Sequence, residues 1–447
     1  MTSANIVICG AGMAGIATAY HLAVKHGIKN ILLVDEHLPL SLTSAVGTEA
    51  YRNWWPGPGN TMVRFMNRSI DLLEELAEQS NNVFQLNRRG YAFLTGNPDQ
   101  VSVWREAAAE VSALGAGPVR EHPGPVPYIS TQPEGFDKSL NGADLVLDPV
   151  MIREQFPFIT SQVVAMLHTR RCGWINNQRL GKWLFERAIQ HGLRFQQDKV
   201  IGIKTSGGRV HSIQLASGEL IESHRIIIAA GPYLKPVAAL LGLDLPVFNE
   251  LHGKLTFKDT MGVVSRPVPF MFWSDPVSLP WTDEERARWD ANPDTRWLLE
   301  EFPGGVQFRQ RGDDLLALWT YEVQTNELIW PPTFDPHYPE IVLRGLSAMV
   351  PDMKYYFGQK VYVDGGYYCK TRENRPLIGP LPVEGAYVIG ALSGYGVMAS
   401  QAAADLVSAY ITDSPLPDYA PMFRLDRYED AEYQTLLANW DAKSGQL

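Results

Sequence analysis

The sequence predicts an α/β protein in two interleaved parts: one is built on a parallel sheet, and the other is an α+β part built on a mostly antiparallel sheet. Three observations lead to this prediction. A strand, a glycine turn, a helix and a second strand open the chain, a strand–turn–helix unit recurs at residues 386–411, and short strands fill much of residues 246–330. Alternating strands and helices favour a parallel sheet, whereas successive strands favour antiparallel pairing. A chain of 447 residues also exceeds the usual size of one hydrophobic core.

The N-terminal unit has the complete frame of a dinucleotide-binding motif. Asn5–Cys9 is an apolar strand, and the sequence GAGMAG, which starts at Gly10, leads into a helix that ends at Gly27. A second strand ends at Asp35, about twenty residues after the last glycine of the motif. The glycines allow a tight turn, a close approach to a pyrophosphate and close helix–strand packing, while the acid accepts hydrogen bonds from a ribose. The motif predicts a Rossmann-type domain, but it does not choose between NAD and FAD.

The elements between these two units follow the same alternation. Residues 61–80 have apolar side chains at helical spacing, and residues 88–96 have the pattern of a strand. A helix is expected up to Gly192, and it is followed by short strands and by a fully apolar strand that closes at Gly231. In the C-terminal unit, the strand AYVIGAL meets the turn SGYG, and a helix rich in small residues follows.

The composition excludes several classes of protein. A net charge of -10 argues against nucleic acid as a partner and against a basic membrane-binding patch. The three cysteines, Cys9, Cys172 and Cys369, form no CxxC pair and have no metal-like spacing, so we expect no metal and a reducing, cytoplasmic location. No apolar run approaches the roughly 18 residues of a membrane-spanning helix, and we expect no signal peptide. The oligomeric state is left open.

These motifs together resemble the FAD-dependent amine and amino-acid oxidoreductases of the D-amino-acid oxidase superfamily. That group includes glycine oxidase, sarcosine oxidase and dimethylglycine dehydrogenase. The resemblance covers nearly the whole chain and rests on GAGMAG with LLVD, on RIIIAAGPYL, and on TRENRPLIGP followed by ALSGYGVMAS. It implies a Rossmann-type FAD-binding domain, an extended FAD whose ring meets the C-terminal glycine-rich turn, and a substrate domain whose sheet covers that ring.

The resemblance also assigns residues to the cofactor. The glycines of the first motif would hold the pyrophosphate, and the helix that follows SGYG would direct N–H groups at the flavin C2 carbonyl. An oriented helix N-terminus stabilises the negative charge of a reduced flavin without a mobile cation. Val200 is placed inside the first strand after the helix that ends at Gly192. The implied FAD contacts are Gly10, Gly12, Met13, Ala14, Gly15, Asp35, Glu36, Thr43, Ser44, Val200, Gly231, Gly394, Tyr395, Gly396, Val397 and Met398.

Three positions depart from the pattern of sarcosine oxidases. Gly366 stands where those enzymes attach flavin through a cysteine, so the resemblance implies non-covalent FAD, although Cys369 is close. Met398 stands where a lysine helps to clamp the substrate carboxylate. The strand that would carry an oxygen-activating lysine has no lysine at residues 316–318, which implies that oxygen is a poor or moderate acceptor.

The substrate side is assigned by the same resemblance. Arg52 fits the arginine that faces the substrate, so Trp54 and Trp55 either wall the pocket or pack as core, and Met398 is expected at its edge. One cation, a methionine and tryptophans suit a bulky, partly aromatic amine.

The candidate catalytic residues are Tyr395 in the flavin turn, and His252 and Lys254 on a strand near the flavin. Lone histidines are more often structural, so a structural role for His252 stays open.

The resulting prediction is oxidation of a C–N bond by hydride transfer to FAD. The alternatives are oxidation of a C–O bond in a hydroxy acid or polyol, for which His252 would be the base, and a non-catalytic FAD-containing assembly factor. We expect an FAD-binding domain at 1–90, 150–245 and 360–425, a substrate domain at 91–149 and 246–359, and a C-terminal tail at 426–447. Substrate identity and electron acceptor are not determined by the sequence.

Overall fold

A computed structural model describes residues 2–124, 128–132, 134–322 and 325–440 of the chain. The strands, in chain order, are β1 (Thr2–Ser3), β2 (Ile6–Cys9), β3 (Ile31–Asp35), β4 (Ala50–Arg52), β5 (Tyr91–Thr95), β6 (Val119–His122), β7 (Ala143–Val146), β8 (Ala165–Thr169), β9 (Cys172–Trp174), β10 (Leu193–Gln197), β11 (Val200–Ser206), β12 (Arg209–Leu215), β13 (Leu220–Glu222), β14 (Ile226–Ile228), β15 (Phe248–Lys258), β16 (Phe270–Trp273), β17 (Val277–Ser278), β18 (Glu301–Phe302), β19 (Val306–Arg311), β20 (Asp314–Leu318), β21 (Tyr362–Lys370), β22 (Leu377–Pro380) and β23 (Ala386–Gly390). The α-helices are α1 (Met13–Tyr20), α2 (Thr61–Gln79), α3 (Gln100–Val111), α4 (Pro149–Gln155), α5 (Asn177–Gln190), α6 (Leu234–Ala239), α7 (Asp283–Ala291), α8 (Tyr338–Met349), α9 (Gly396–Ile411) and α10 (Ala431–Ala438).

The N-terminal strand–turn–helix–strand unit lies at the centre of a mostly parallel sheet, here called the parallel sheet. Its strand order is β10-β3-β2-β14-β23-β22, and β22 is antiparallel to β23 at the edge. Every residue of β2 is buried, as expected for a central strand that is covered on both faces. Helix α1 continues through a π-helical turn at His21–Lys25 and ends before Gly27, whose φ of +66° suits glycine. The α/β unit predicted from the sequence is therefore present.

The second part is built on a larger sheet, here called the large sheet, with the order β21-β15-β20-β19-β16-β5-β8-β7-β6. Its neighbouring strands are antiparallel except for β16 with β5 and β6 with β7. Side chains alternate across the sheet, so Tyr91 and Phe93 enter one core while Ala92 and Leu94 enter another. The first of these cores also contains buried residues of α1, α2 and α9, so the large sheet packs one face toward the parallel-sheet part.

Two strands belong to a different sheet from the one that the expected domain boundaries imply. β8 lies within the segment 150–245, yet it pairs with β5 and β7 of the large sheet. β21 lies within the segment 360–425, yet it pairs with β15 along its whole length. Strand partners are chosen by contacts distant in sequence, so local patterns identify these strands without indicating their sheet.

The C-terminal segment packs on the body of the protein rather than extending as a tail. Arg427 is 4% exposed, and its guanidinium donates to the Glu373 carboxylate, with an Nη2–Oε1 distance of 2.7 Å. Tyr433, in α10, donates to the same oxygen over 2.9 Å. The expected tail therefore contributes to the core up to residue 440, while residues 441–447 lie outside the described part of the chain.

A smaller sheet, with the order β1-β13-β12-β11, packs beside the parallel sheet and shares an apolar core with it and with α6. None of the helices in the described ranges combines the length and the apolar character that crossing a membrane requires.

Candidate active site

A cavity of about 490 Å³, here called the first cavity, runs along the edge of the parallel sheet where the carboxyl ends of its strands meet. Its walls come from the turn after β2, the end of β3, the segment 41–50 and the start of β11. The segment after β14, the end of β21 and the turn between β23 and α9 complete it. Segments far apart in sequence thus share one elongated site.

The glycine turn after β2 forms the wall of the first cavity at the N-terminus of α1. Gly10 has a φ of +114°, and a Cβ there would lie 2.4 Å from the Ala229 carbonyl oxygen. A Cβ at Gly15 would lie 1.8 Å from the Gly10 oxygen, so this residue serves helix packing and does not line the cavity. Gly12 lines the cavity, and its Cβ would meet the Ser44 Oγ at 3.1 Å. The glycines leave the backbone of the turn exposed to the cavity, which would allow a pyrophosphate to approach it closely.

Asp35 fixes the position of the glycine turn. The Ala11 N–H donates to Oδ2 of Asp35 over 2.6 Å, and the His37 N–H donates to Oδ1 over 2.8 Å. The Ser44 hydroxyl oxygen accepts from the Met13 N–H over 3.1 Å. The carboxylate therefore lies at the cavity wall between the turn and the end of β3, where it can reach a ribose.

The end of the first cavity beside the glycine turn and Asp35 is here called the nucleotide end. Other residues that the resemblance assigns to FAD also lie there. Glu36 pairs with Lys199 over 3.1 Å, and both line the cavity with Val200 and Gly231. Val200 begins β11, which is the second strand after α5 and not the first as expected. The first of those strands, β10, instead extends the parallel sheet beside β3.

The opposite end of the first cavity, here called the ring end, meets the turn before α9. Gly394, Gly396 and Val397 line it, and the N-terminus of α9 contributes a positive potential at this wall. A Cβ at Gly394 would lie 2.5 Å from the Tyr368 ring, so only glycine lets the turn approach that ring without a shift. Thr43 lines the neighbouring wall, where its hydroxyl donates to the Tyr367 carbonyl over 3.1 Å.

Tyr395 and Met398 do not line the first cavity; both side chains are buried in the core. The Tyr395 hydroxyl donates to the Asn374 carbonyl over 2.6 Å, and burial raises its pKa. The Met398 carbonyl accepts from the Ser69 hydroxyl. Tyr395 and Met398 are three residues apart at the start of a helix, so they lie on the same face, which packs into the core that also contains α2.

Arg52, Trp54 and Trp55 are also buried, and they do not line the first cavity. The Arg52 guanidinium lies 4.4 Å from the centre of the Trp55 ring. Trp55 meets Tyr395 edge-on, with ring centres 5.0 Å apart. The two tryptophans therefore pack as core, because β4 pairs with β9 and directs the following turn between α2 and the large sheet.

An aromatic ladder on the large sheet was not identified from the sequence. It consists of Tyr91 and Phe93 on β5 and Phe270 and Phe272 on β16. Phe93 stacks on Phe272 at 4.6 Å between ring centres, and Tyr91 meets Phe270 at 5.1 Å. Burial lowers the pKa of Arg52, while nearby Tyr91 acts in the opposite direction, which places this arginine beside the ladder. The period-two spacing of aromatic residues in both strands is the signal that could have revealed it.

His252 and Lys254 lie on β15 and do not line the first cavity. The His252 ring stacks on Tyr368 at 4.1 Å between centres, so it lies behind a residue that does line the cavity. Its Nε2 bonds to the Glu250 carboxylate over 3.1 Å, and burial lowers its pKa. Lys254 forms an ion pair with Asp364, and burial lowers its pKa as well.

Glu49 lies at the ring end, and it lines both the first cavity and a second one. Its backbone φ of +61° is strained for a residue with a side chain. Its Oε2 accepts from Arg309 over 2.8 Å and its Oε1 accepts from the Asn177 N–H over 3.2 Å. Arg309 also donates to the Thr48 carbonyl over 2.9 Å. No sequence pattern connects these residues, and none of them was singled out as a candidate.

The second cavity has a volume of about 660 Å³ and shares Glu49 with the first. Arginine, glutamate and amide side chains dominate its lining, with Trp174 as the largest apolar residue. Its walls come from β9, the end of β19, the segment before β5 and the turn after α2. Its size falls in the range of small-molecule sites.

The position that carries a flavin-linked cysteine in sarcosine oxidases is crowded for a side chain here. A Cβ at Gly366 would lie 3.1 Å from Val46 and 3.2 Å from Thr43. Cys369 does line the first cavity, but burial raises the pKa of its thiol to about 12, so the nucleophilic thiolate is disfavoured. Across the described ranges, no cluster of three or more His, Cys, Asp or Glu side chains could hold a metal ion.

The shape and lining of the first cavity fit an extended dinucleotide. The bare glycine turn at the start of α1 suits a pyrophosphate, and Asp35 suits a ribose. Gly394 and Gly396 let a flat ring approach the N-terminus of α9. At Gly10 and Gly394, an added Cβ would lie too close to neighbouring atoms for the backbone to keep its present position.

Comparisons with known proteins agree with this fit. The family described as "FAD dependent oxidoreductase" matches residues 5–410. Mitochondrial dimethylglycine dehydrogenase of Rattus norvegicus is 22% identical over 433 residues, which cover 93% of this chain and 43% of that protein. The chain thus spans less than half the length of that relative. Sarcosine oxidase subunit beta of Rhizobium meliloti is 26% identical over 434 residues, covering 95% of this chain and 88% of that one.

Solved structures share the fold. L-proline dehydrogenase from P. horikoshii superposes with a TM-score of 0.73 at 17% identity, covering 96% of this chain and 98% of that one. Glycine oxidase from Geobacillus kaustophilus has a TM-score of 0.73 at 15% identity, covering 96% and 99%. The chain belongs to the family of FAD-dependent oxidoreductases, and its cofactor is FAD.

Proposed function

We propose that this FAD-dependent oxidoreductase oxidises a C–N bond of a bulky amine or amino acid. The observation that carries the choice of bond is the environment of His252. Oxidation of a C–O bond would require this histidine as a base, yet its ring stacks behind Tyr368, and both ring nitrogens are engaged, by Glu250 at 3.1 Å and Thr320 at 3.4 Å. A neutral amine needs little help from a base, so C–N oxidation suits this site better.

The relatives support the same class of reaction. The names dimethylglycine dehydrogenase and sarcosine oxidase describe proteins that act on amines, and the superposed structures include a proline dehydrogenase and a glycine oxidase. Their sequence identities are low, so they support the class of bond and leave the substrate of this chain to be determined.

Bound FAD supplies the acceptor for the hydride that leaves the substrate carbon. Gly12, Ser44 and Asp35 would hold its nucleotide part, and Gly394 and Gly396 would face its ring. The N-terminus of α9 places a fixed positive potential at that wall, which stabilises negative charge without a mobile group. Positioning and exclusion of water at the buried ring end would supply much of the remaining rate.

The second cavity supports a bulky substrate. It meets the ring end at Glu49, and its volume of about 660 Å³ exceeds the needs of glycine or sarcosine. Trp54, Trp55 and Met398, which led to the expectation of an aromatic substrate, lie in the core instead. The aromatic ladder is buried in the same core and lines neither cavity, so it gives no support for an aromatic group on the substrate.

The test is anaerobic reduction of the bound flavin, followed as loss of its yellow absorbance. A size series of amines and amino acids is compared with hydroxy acids of matched size. We expect bulky amines to reduce the flavin faster than sarcosine or glycine. Reduction by hydroxy acids alone would establish C–O oxidation, and a flavin that no compound reduces would favour an assembly factor.

We also propose a cytoplasmic location, as the sparse cysteines suggested. The three cysteines are free and buried, which is consistent with a reducing compartment. Fractionation of the native cells, with the protein detected by antibody, tests this proposal.

A further inference from the structure

We propose that the second cavity binds an oxyanion group, a carboxylate or a phosphate, that the substrate carries at a distance from its reacting C–N bond. This inference rests on the proposed function, since it assigns a substrate class to the space that adjoins the ring end. The site is separate from Arg52, which lines neither cavity.

The charge of the lining favours an anion. Arg89, Arg309 and Arg311 line the second cavity, against two glutamates, Glu49 and Glu134. One of those glutamates, Glu49, is already bonded to Arg309. This excess of cations stands out in a chain whose net charge is -10. A concave lining with a net positive charge raises the local concentration of anions.

The arginines are held in place before any ligand arrives. The guanidinium carbons of Arg89 and Arg309 lie 5.1 Å and 5.3 Å from the centre of the Trp174 ring. Arg309 also donates to the backbone at Thr48, and Arg89 donates to the Gln310 side chain over 2.8 Å. Side chains that are already ordered lose little further entropy on binding, so such a site binds more tightly than a flexible one.

Arg311 is placed to contact the incoming anion directly. Arg309 and Arg311 are two residues apart on β19, so their side chains point to the same face of the strand. Arg311 is exposed at the mouth, and no hydrogen bond or ion pair within the described ranges ties down its guanidinium. Burial lowers the pKa of Arg309, and the charge of Arg311 acts in the same direction, which shows that the two cations are close. A bidentate oxyanion would relieve their repulsion.

A neutral polyol fits this cavity less well. Three of the amide groups that would recognise hydroxyls already hold the backbone: Asn82 accepts from the Leu86 N–H over 2.7 Å, and Asn87 donates to the Trp174 carbonyl over 2.9 Å. Asn176 caps α5 by accepting from the Arg179 N–H over 2.9 Å. These amides form rigid walls, so the arginines are the groups that select the ligand.

The first experiment measures anion binding to the FAD-loaded protein by titration calorimetry. Succinate and inorganic phosphate are the probes, and succinamide is the neutral control. We expect saturable binding of at least one anion and none of succinamide. Arg311→Gln should weaken that binding about tenfold, as loss of a charge-assisted contact does. Arg288→Gln, which removes an exposed arginine on α7, is the matched control and should leave binding unchanged.

Absence of saturable binding, or an equal loss in the Arg288 control, would overturn the proposal. Preference for succinate over phosphate, or the reverse, identifies the oxyanion. Binding should also quench a tryptophan fluorescence component that Trp174→Phe removes, which places the anion in this cavity. Quenching that persists in Trp174→Phe would place it elsewhere.

The second experiment connects the cavity to the substrate. Among the amines that reduce the flavin, those with a distal acid group should have a lower KM than their neutral amides, and Arg311→Gln should reduce this difference about tenfold. If amines reduce the flavin but the variant leaves the difference unchanged, the cavity assignment is wrong and the proposed function stands. If no amine reduces the flavin while the anion still binds, the proposed function is what fails.

Discussion

The two ends of the first cavity are built in opposite ways. The nucleotide end is made largely from the backbone of one short turn, Gly10–Gly15, together with Asp35 at the end of the next strand. The ring end is assembled from side chains of distant segments, among them the Glu49–Arg309 pair and the stack of His252 on Tyr368. An added Cβ at a glycine turn is therefore expected to disrupt either end, whereas a lost charge or hydrogen bond is expected to act mainly at the ring end.

This difference indicates which part of the site can change its side chains without loss of FAD binding. A backbone site keeps its chemistry whatever side chains surround it, provided that the glycines remain. A site made from buried side chains depends on each partner, because a lone charge or polar group left behind is costly. Substrate choice is therefore expected to change at the ring end while FAD binding stays constant.

The largest effect should come from Gly12→Val, which breaks the nucleotide end. Its Cβ would lie 3.1 Å from the Ser44 Oγ, and its methyl groups would occupy the space of the pyrophosphate. We expect a folded protein without FAD, measured as the ratio of flavin absorbance to protein absorbance. Gly124→Val is the control, because a Cβ there meets no atom of the described residues within 4 Å. A Gly12→Val protein with a full complement of FAD would contradict the assignment of the turn.

A second variant breaks the ring end. Arg309→Leu leaves the Glu49 carboxylate without its buried cation and the Thr48 carbonyl without a donor. We expect the free energy of unfolding to fall by about 3 kcal/mol, which is typical of breaking a buried ion pair. Urea unfolding of the FAD-loaded protein measures this, with Arg288→Leu on the surface of α7 as the control. Equal free energies of unfolding for the two variants would show that the Glu49–Arg309 pair does not stabilise the protein.

Tyr395→Phe distinguishes a structural from a catalytic role for the tyrosine in the flavin turn. The hydroxyl bonds to the Asn374 carbonyl over 2.6 Å and does not line the cavity. We expect a loss of about 1 kcal/mol in stability and little change in the rate of flavin reduction. Tyr355→Phe, at a side chain that is 59% exposed, is the control. A fall in rate of about a hundredfold with FAD fully bound would instead indicate general acid–base catalysis.

The smallest expected effect is a change in the pH dependence of stability. It concerns the contact between the two helices that follow the glycine turns of the first cavity. His21, just after α1, lies 3.6 Å from Asp405 on α9, so the helices that follow the two glycine turns are linked here. Burial acts to raise the pKa of Asp405, but the nearby His21 and the ion pair with Arg68, over 2.9 Å, outweigh it and hold the pKa at about 2.

The direction of the pH effect follows from that depressed pKa. The carboxylate contributes stability above its unfolded pKa of about 3.9, and the contribution is lost as pH falls toward about 2. Asp405→Asn should therefore narrow the difference in stability between pH 5 and pH 3, values chosen on either side of the unfolded pKa of about 3.9. Chemical unfolding at the two pH values measures this. An unchanged difference would show that other carboxyl groups carry the acid sensitivity.

The sequence by itself determined the nucleotide end. The glycine spacing, the strands on either side and Asp35 all lie within about forty residues, and each has a local physical reason that spacing reveals. The same holds for the glycine turn before α9 and for α2, whose apolar spacing predicts its helix. Gly366 stands where a flavin-linked cysteine would be, which is the basis of the expectation of non-covalent FAD; acid precipitation and release of free flavin would test it.

Only the tertiary structure decided the ring end. The local sequence is equally compatible with Trp54 and Trp55 in the core or in a pocket wall. The pairing of β4 with β9 places them in the core. Glu49 and Arg309 are 260 residues apart and carry no pattern, so their contact appears only when the large sheet packs on the parallel-sheet part. Side-chain sites assembled from distant strands depend on long-range packing, whereas a backbone turn is specified by the residues that form it.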